Sequence, residues 1–509
     1  MRARTAVVAL GSAAAAGIAV ARIRRRGRRS GLAVPLGDRA GRTLELARLG
    51  GRAGVGLASA RVRGALADDA RRAELRAEFE LRTAAEVVAS LGNMKGALMK
   101  LGQMASYLDQ GLPEPVRDAL AQLQSDAPPM AAELAEQAIA DELGGRPREV
   151  FARWDPTPVA AASIGQVHRA LTHDGREVAV KVQYPGVDDA IRADLETSDM
   201  LFGAMGLLFP GLDPGPLVAE LRERLVEELD YHNEAANQRR FASAFAGHPT
   251  IHVPAVVDEL STARVLTTEW AEGTDFRTVV DQWSQAERDL AAETIYRYAF
   301  GGIYDLGIFN GDPHPGNYRF RPGGHVSFLD YGLCKVFVPD EVSRFERLIQ
   351  AMCITPDRDL FQQLSTEMGF VNEGAQVSPD LLLEYFSHFY ELVLRDEVVT
   401  VTPEYASESV RRFFDLSGPY ADVIRSVNLP PSLVVIQRIN LGLFAVLAEL
   451  GATANWRRIA EEIWPFADGA PSTPMGAEIA EWKARRVSES SVSAAGGPGT
   501  AGGVGTTPP

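Results

Sequence analysis

Phe309-Asn310-Gly311-Asp312-Pro313-His314-Pro315-Gly316-Asn317 places an aspartate and an asparagine five residues apart, and Phe328-Leu329-Asp330-Tyr331-Gly332 follows with an aspartate between an apolar run and a glycine. Asn317 and Asp330 offer the hard oxygen ligands that Mg²⁺ prefers. Asp312 can accept a proton from an attacking group or orient it. A D-x-x-x-x-N loop with a metal-type aspartate beyond it is an arrangement for phosphoryl chemistry. Upstream, Val178-Ala179-Val180-Lys181 ends on a lysine, one of only five (Lys95, Lys100, Lys181, Lys335, Lys483) in a chain with 52 basic residues. Its compact ammonium suits a fixed positive charge on a triphosphate, and Asp174-Gly175 ahead of it marks a hairpin turn.

A lysine in that role needs an orienting carboxylate from a nearby helix. The sequence predicts one from about Leu217 to Phe245, with Glu227, Glu228, Asp230 and Glu234. Asp230, Glu234, Asn237 and Phe241 fall on one stripe of an uninterrupted helix, and Glu228 points elsewhere. Glu234 is therefore the expected partner of Lys181. Before the hairpin, Ala160-Ala161-Ala162-Ser163-Ile164-Gly165-Gln166-Val167 overlays the kinase loop pattern GxGxxGxV, with Ala160 and Ala162 in place of two glycines and Gly165 and Val167 in register. Small residues there let the backbone approach phosphates. Leu266-Thr267-Thr268-Glu269-Trp270, ending before Gly273, reads as a hinge strand whose backbone at Glu269 meets an adenine edge. His314, between two prolines, reads as a structural loop residue. The set implies ATP and Mg²⁺ as ligands.

The elements that position these groups form an α+β chain. Residues 1–30 hold an uncharged Ala-rich segment, Thr5 to Ala21, and an Arg cluster from Arg22 to Arg29. Three readings stand: a single anchor with its Arg side in the cytoplasm, a cleaved signal peptide ending at Ala21, or a lead-in touching anionic lipid. The anchor reading puts the protein at the cytoplasmic face of the cell membrane. Residues 31–67 read as linker and 68–150 as a helical extension. Short β-type runs over 151–272 form a first lobe, and helices after Ser284, a plausible N-cap, fill a second lobe over 273–485. Residues 486–509, rich in Ser, Gly, Thr and Pro, read as disordered tail.

Composition excludes other classes. Hydrophobic residues make up 46% and charged residues 23%, which fits a folded globular chain and not a polytopic membrane protein. Net charge is -15, and the eight arginines of residues 1–30 leave 44 basic against 67 acidic residues in the remainder. So acidic a body is a poor partner for nucleic acid. Cys334 and Cys353 are too few for a disulfide framework.

Over about residues 80 to 450 the sequence resembles the UbiB-like (AarF-type) atypical kinase family. The resemblance is carried by Lys100-Leu101-Gly102-Gln103 (KxGQ), the AAASIGQVH run, Glu228-Leu229-Asp230 (ExD) and the DPHPGN loop. It implies a protein-kinase-like two-lobe fold whose N-terminal helical extension folds over the active site. It also implies ATP binding and hydrolysis linked to isoprenoid quinone or related lipid metabolism, with an isoprenoid lipid or quinone precursor as partner at a membrane surface. Lys100 and Gln103 share a helix face, and Lys100 is expected to meet Glu228 or Asp230. About seven residues separate Gly332 from Pro339, and no A-P-E element follows, so a peptide-substrate platform is missing. A conventional protein kinase and a non-catalytic nucleotide-gated lipid-binding scaffold are the alternatives. Gly311 stands where the family often has Ala, Tyr331 replaces the usual Phe, and the C-terminal membrane helices of some members are missing.

Overall fold

In Glu177-Val178-Ala179-Val180-Lys181-Val182 every second residue is valine, so a strand sends the valines to one face and Ala179 and Lys181 to the other. The computed structural model describes residues 132–162, 164–188, 229–371, 375–414, 418–427 and 431–495. Lys100, Gln103, Ser163, Glu228, the N-terminal apolar segment and most of the expected extension lie outside the described residues.

The first lobe opens with helix α1 (Ala132–Leu143) and continues through strands β1 (Arg153–Trp154), β2 (Ala160–Ala162), β3 (Gly165–Leu171) and β4 (Glu177–Gln183). Helix α2 (Tyr231–Ala244), strand β5 (Ile251–His252) and strand β6 (Val265–Glu269) follow. The sheet order is β1-β3-β4-β6, with β2 paired to β3, and Gly175 at φ +88° turns the β3–β4 hairpin. Val178, Val180, Val182 and Val265 are fully buried with Ile139 of α1 on one face of the sheet. Each such side chain contributes about 1.5–3 kcal/mol. Across the strands Val167 lies opposite Lys181, and Lys181 opposite Leu266, so these three share the other face. Gly165 has no alternative: a Cβ there would stand 2.1 Å from the Val182 carbonyl oxygen of β4.

The second lobe is built on helices α3 (Phe276–Gln282) and α4 (Gln285–Leu306). Ser284 caps α4 by accepting from the Glu287 N–H, as its sequence context predicts. Strands β7 (Ile308–Asn310), β8 (Tyr318–Arg321), β9 (His325–Phe328) and β10 (Cys334–Val336) carry the acidic loops, with β7 paired to β10 and β9 lying between β8 and β5. Then come α5 (Pro339–Ile349), α6 (Arg358–Glu367), α7 (Pro379–Ser387), α8 (Pro403–Phe414), α9 (Pro431–Leu450), α10 (Trp456–Ile463) and α11 (Pro474–Ala495). Ala291, Ala292, Ile295 and Tyr296 of α4 are buried in the large core of this lobe. Gly302 lets β7 close on α4, since a Cβ there would meet the Ile308 carbonyl oxygen at 2.8 Å.

Two expectations are corrected. The helix bearing Glu234 does not run unbroken through Asp230: it starts at Tyr231, and Asp230 is its N-cap, extended at φ −119° and accepting from the His232 N–H. The expected tail is helical as far as Ala495, because Arg486 is fixed by donating to the Ala244 carbonyl at 2.6 Å and Trp482 packs on His248.

Candidate active site

Lys181 on β4 donates to both carboxylate oxygens of Glu234 on α2, at 2.8 Å each, and to Asp330 Oδ2 at 3.2 Å. Three segments far apart in sequence thus meet at one ammonium. Lys181 and Glu234 are largely buried, at 12% and 3% exposure, and Asp330 is more open at 22%. Burial alone lowers the Lys181 pKa, but the charges of Asp330 and Glu234 outweigh it and hold the value well above the ordinary lysine range. The Tyr231 ring lies 5.1 Å from the ammonium and adds a cation–π contact.

The acidic loops are tied to each other by their own side chains. Asn310 donates to the Asp330 carbonyl at 2.8 Å and to the Tyr298 hydroxyl at 3.0 Å, while its Oδ1 accepts from the Asp312 N–H at 3.2 Å. Asn317 donates to the Asp312 carbonyl at 3.4 Å, and its own carbonyl accepts from the Leu329 N–H at 3.0 Å. Asp330 Oδ1 accepts from the Gly332 N–H at 2.9 Å, which orients the carboxylate. Asp312, Asn317, Asp330 and Asn310 line one small cavity with Tyr298 and Phe328. His314 Nδ1 accepts from the Gly316 N–H at 3.0 Å, a loop-shaping contact that agrees with its structural reading. Tyr331 is fully buried, packs on Phe241 of α2 at 5.2 Å and donates its hydroxyl to the Phe328 carbonyl at 3.1 Å. Asn237 of α2 donates to the Tyr331 carbonyl at 3.1 Å, so the turn after Asp330 is fastened to the helix that carries Glu234.

The donor set fits a magnesium nucleotide. Among the described residues no group of three or more His, Cys, Asp or Glu converges on a metal. Mg²⁺ is ordinarily held by one or two protein oxygens together with substrate phosphates, and Asn317 and Asp330 on one cavity supply those.

Ala160 pairs with Val167 in the β2–β3 hairpin, which puts Ala160 and Ala162 on the same face of the sheet as Val167 and Lys181. Gly165 belongs to that hairpin too, but its lack of a side chain is required by β4. Glu269 departs from the expectation. Its carboxylate, 49% exposed, accepts from the Ala255 N–H at 3.3 Å and lies 3.6 Å from His252 Nε2. Its N–H is donated to the Ala255 carbonyl at 2.8 Å, so that donor is not available to an adenine edge. Asp230 is occupied in capping α2. Sequence reasoning missed Asn310, which carries no periodic signal and differs from any strand-end asparagine only in preceding the Asp312 loop. It also left Gln166 and His168 without a role. They are buried, and Gln166 Nε2 lies 2.8 Å from His168 Nε2 while His168 Nδ1 lies 2.9 Å from the Asp155 carbonyl. Burial lowers the His168 pKa, and the pair serves the packed face of the sheet.

A family model described as an ABC1 atypical kinase-like domain matches residues 122–373. A solved structure of Rv3197 from Mycobacterium tuberculosis in complex with erythromycin is 34% identical, with a TM-score of 0.56, and the match covers 77% of this chain and 98% of that one. The chain belongs to the UbiB-like (AarF-type) atypical kinase family. Its kinase-like fold is the two-lobe α+β arrangement described above. Among curated relatives, atypical kinase COQ8, mitochondrial, of Saccharomyces cerevisiae is 28% identical over 73% of this chain and 74% of its own length. AarF domain-containing protein kinase 1 of Mus musculus is 34% identical over 58% and 57%. The chain spans between 43% and 74% of the length of the first curated relatives it matches. As an atypical kinase-family chain it has the expected short connection: β10 and then α5 at Pro339 follow directly after Gly332.

Proposed function

We propose that this chain binds Mg-ATP between the sheet face bearing Lys181 and the acidic loops, and hydrolyses it or passes on its phosphate. The observation that carries the reading is Lys181 held jointly by Glu234 and Asp330. In the nucleotide complex Lys181 meets the phosphates, Glu234 keeps the ammonium aimed, and Asp312 orients or deprotonates the attacking group. Mg²⁺, when bound at Asn317 and Asp330, neutralises charge on the phosphates. Backbone beyond Glu269, at Ala271 and Glu272, takes the adenine edge. Ala160, Ala162, Ser163 and Gly165 let the hairpin lie close over the phosphates. Lys100 and Gln103 act from the N-terminal extension, with Lys100 paired to Glu228 or Asp230.

The short connection after Gly332 argues against a peptide substrate, and family kinship favours isoprenoid quinone or related lipid metabolism at the cytoplasmic membrane face. Residues 5–21 are the proposed anchor; among the described residues no helix is long and apolar enough to cross a membrane. The deciding experiment is ATP turnover by the purified full chain, with and without vesicles containing polyprenyl lipid, comparing wild type with Asp330→Asn and with EDTA-treated protein. Turnover that survives Asp330→Asn overturns the reading. A second reading follows from the relative solved with erythromycin: this chain also takes a macrolide. Calorimetric titration with erythromycin checks it, and no heat of binding removes it.

A further inference from the structure

Strands β5, β9 and β8 carry a second pocket, of about 320 Å³, whose lining shares no residue with the cavity at Asp312 and Asp330. Pairing fixes what faces it. Arg321 lies opposite His325, and Arg319 and His252 both lie opposite Ser327, so Arg319, Arg321, His252 and His325 share one face of this sheet. Tyr318, Phe320, Val326 and Phe328 occupy the other face and belong to the core. His248, from the loop after α2, closes the pocket, so three of the eight histidines in the chain line it together with Arg321.

No aspartate or glutamate lines this pocket, in a chain with 67 acidic residues against 52 basic. Arg321 is exposed and makes no ion pair with any described residue, although most of the described arginines find a carboxylate. The nearest carboxylate to the His252 ring is that of Glu269, 3.6 Å away. His248 Nδ1 accepts from the Thr250 and Ile251 N–H groups at 3.2 and 3.0 Å, which leaves its ring proton on Nε2. The histidines are not a metal set, since no such cluster occurs among the described residues. What converges is a fork of guanidinium donors and imidazole nitrogens around a volume at the small end of ligand pockets.

We propose that this pocket is a second, anion-accepting site that takes a phosphate ester, with Arg321 as its charge partner and His252 and His325 as hydrogen-bond donors. Three donor side chains match the three free oxygens of a phosphate monoester, and Arg offers the bidentate geometry that a lysine lacks. The site is independent of nucleotide binding at Lys181.

The test follows the imidazole signals of isotope-labelled histidine in the full-length protein, assigned with His252→Gln and His325→Gln. Wild type and Lys181→Met are titrated with glycerol 3-phosphate, and in parallel with phosphatidylcholine vesicles with and without phosphatidic acid, whose headgroup is also a phosphate monoester. The expected result is a saturable shift of the His252 and His325 signals in both proteins, weakened at least tenfold by Arg321→Ala. A response to the soluble ester identifies a free metabolite as the source, and a response only to anionic vesicles identifies a lipid headgroup. Failure of both arms, a shift that survives Arg321→Ala, or a response lost in Lys181→Met overturns the proposal; the last outcome assigns the anion to the nucleotide cleft.

Discussion

Lys181 and Arg297, both largely buried, are each held between two carboxylates at nearly the same distances. Lys181 sits between Glu234 at 2.8 Å and Asp330 at 3.2 Å. Arg297 of α4 sits between Glu293 of the same helix and Glu462 of α10, both at 2.8 Å. The difference lies in what surrounds them. Arg297, Glu293 and Glu462 are 6–7% exposed, Glu462 also accepts from the Ser472 N–H, and Glu293 from the Thr473 hydroxyl. Both carboxylates thus accept from the residues just before α11 as well as from Arg297, which fastens the start of α11 to the lobe. At Lys181 the third partner, Asp330, is 22% exposed and also borders the small cavity it shares with Asp312 and Asn317, so this triad is open on its Asp330 side. Charge composition is alike; closure separates a fastener from a site.

Asp330→Asn should break the comparison on the side of activity. It keeps the shape of the side chain and removes the anion that would hold Mg²⁺, so ATP turnover is expected to fall by roughly 10²–10³-fold, the scale of losing one preorganised electrostatic partner. Thermal unfolding should move little. Steady-state turnover and calorimetry on one preparation check both halves.

Arg297→Met acts in the opposite sense. It strands Glu293 and Glu462 in a buried place, and the expected cost is about 3–5 kcal/mol of unfolding free energy. Turnover per folded molecule should be retained. If chemical denaturation finds Arg297→Met as stable as wild type, or Asp330→Asn as damaged as Arg297→Met was expected to be, the distinction between the two triads is lost.

pH sharpens the contrast at a smaller scale. The Lys181 pKa is raised, so its contribution is complete below the ordinary lysine value and fades only as pH rises through the folded one; neutral pH leaves it untouched. His248 behaves otherwise. Desolvation, then the charges of Arg297 and Lys483, push its pKa down to about 3. Between the ordinary imidazole value and that one, the unfolded chain binds a proton the folded chain refuses, so stability falls as pH drops through this window. From pH 7 to pH 5 the loss is about 2 kcal/mol at most. Denaturation midpoints at both pH values, with His248→Gln as the flat control, measure it.

Part of this arrangement is legible in the amino-acid sequence and part is not, for identifiable reasons. The hairpin at Asp174-Gly175, the Lys181–Glu234 contact and the gathering of Asp312, Asn317 and Asp330 rest on short spacings and on one rare lysine, signals that survive without tertiary information. The Arg297 triad does not: Glu462 is far along the chain, and no periodicity joins it to α4. The helical reading of Asp230 failed because a stripe count assumes a continuous helix, and an aspartate is as good a cap as a helix-face residue. The last ten residues of α11, from Arg486 to Ala495, read as tail because their apolar content is low, while Trp482 and Arg486 anchor this helix on the end of α2 and the loop after it. At Glu269 the strand was legible, but its N–H turned out to be engaged with Ala255, a pairing no spacing reveals.

Asp230 gives the smallest effect and the finest discrimination. Its side chain accepts from the His232 N–H at 2.9 Å and so fixes the first turn of α2, the turn that carries Glu234. Removing the cap in Asp230→Ala should cost about 1 kcal/mol of stability. Because fraying at Tyr231 loosens the carboxylate that aims Lys181, turnover should also drop several-fold, whereas no equivalent loss is expected from uncapping a helix of the Arg297 region. Asp230→Asn separates two physical roles, since asparagine keeps the capping oxygen and discards the charge. If capping is what Asp230 supplies, Asp230→Asn restores both stability and turnover toward wild type. If Asp230→Asn is as impaired in turnover as Asp230→Ala while its stability is normal, the charge is what counts, and the pairing with Lys100 becomes the better account of this residue.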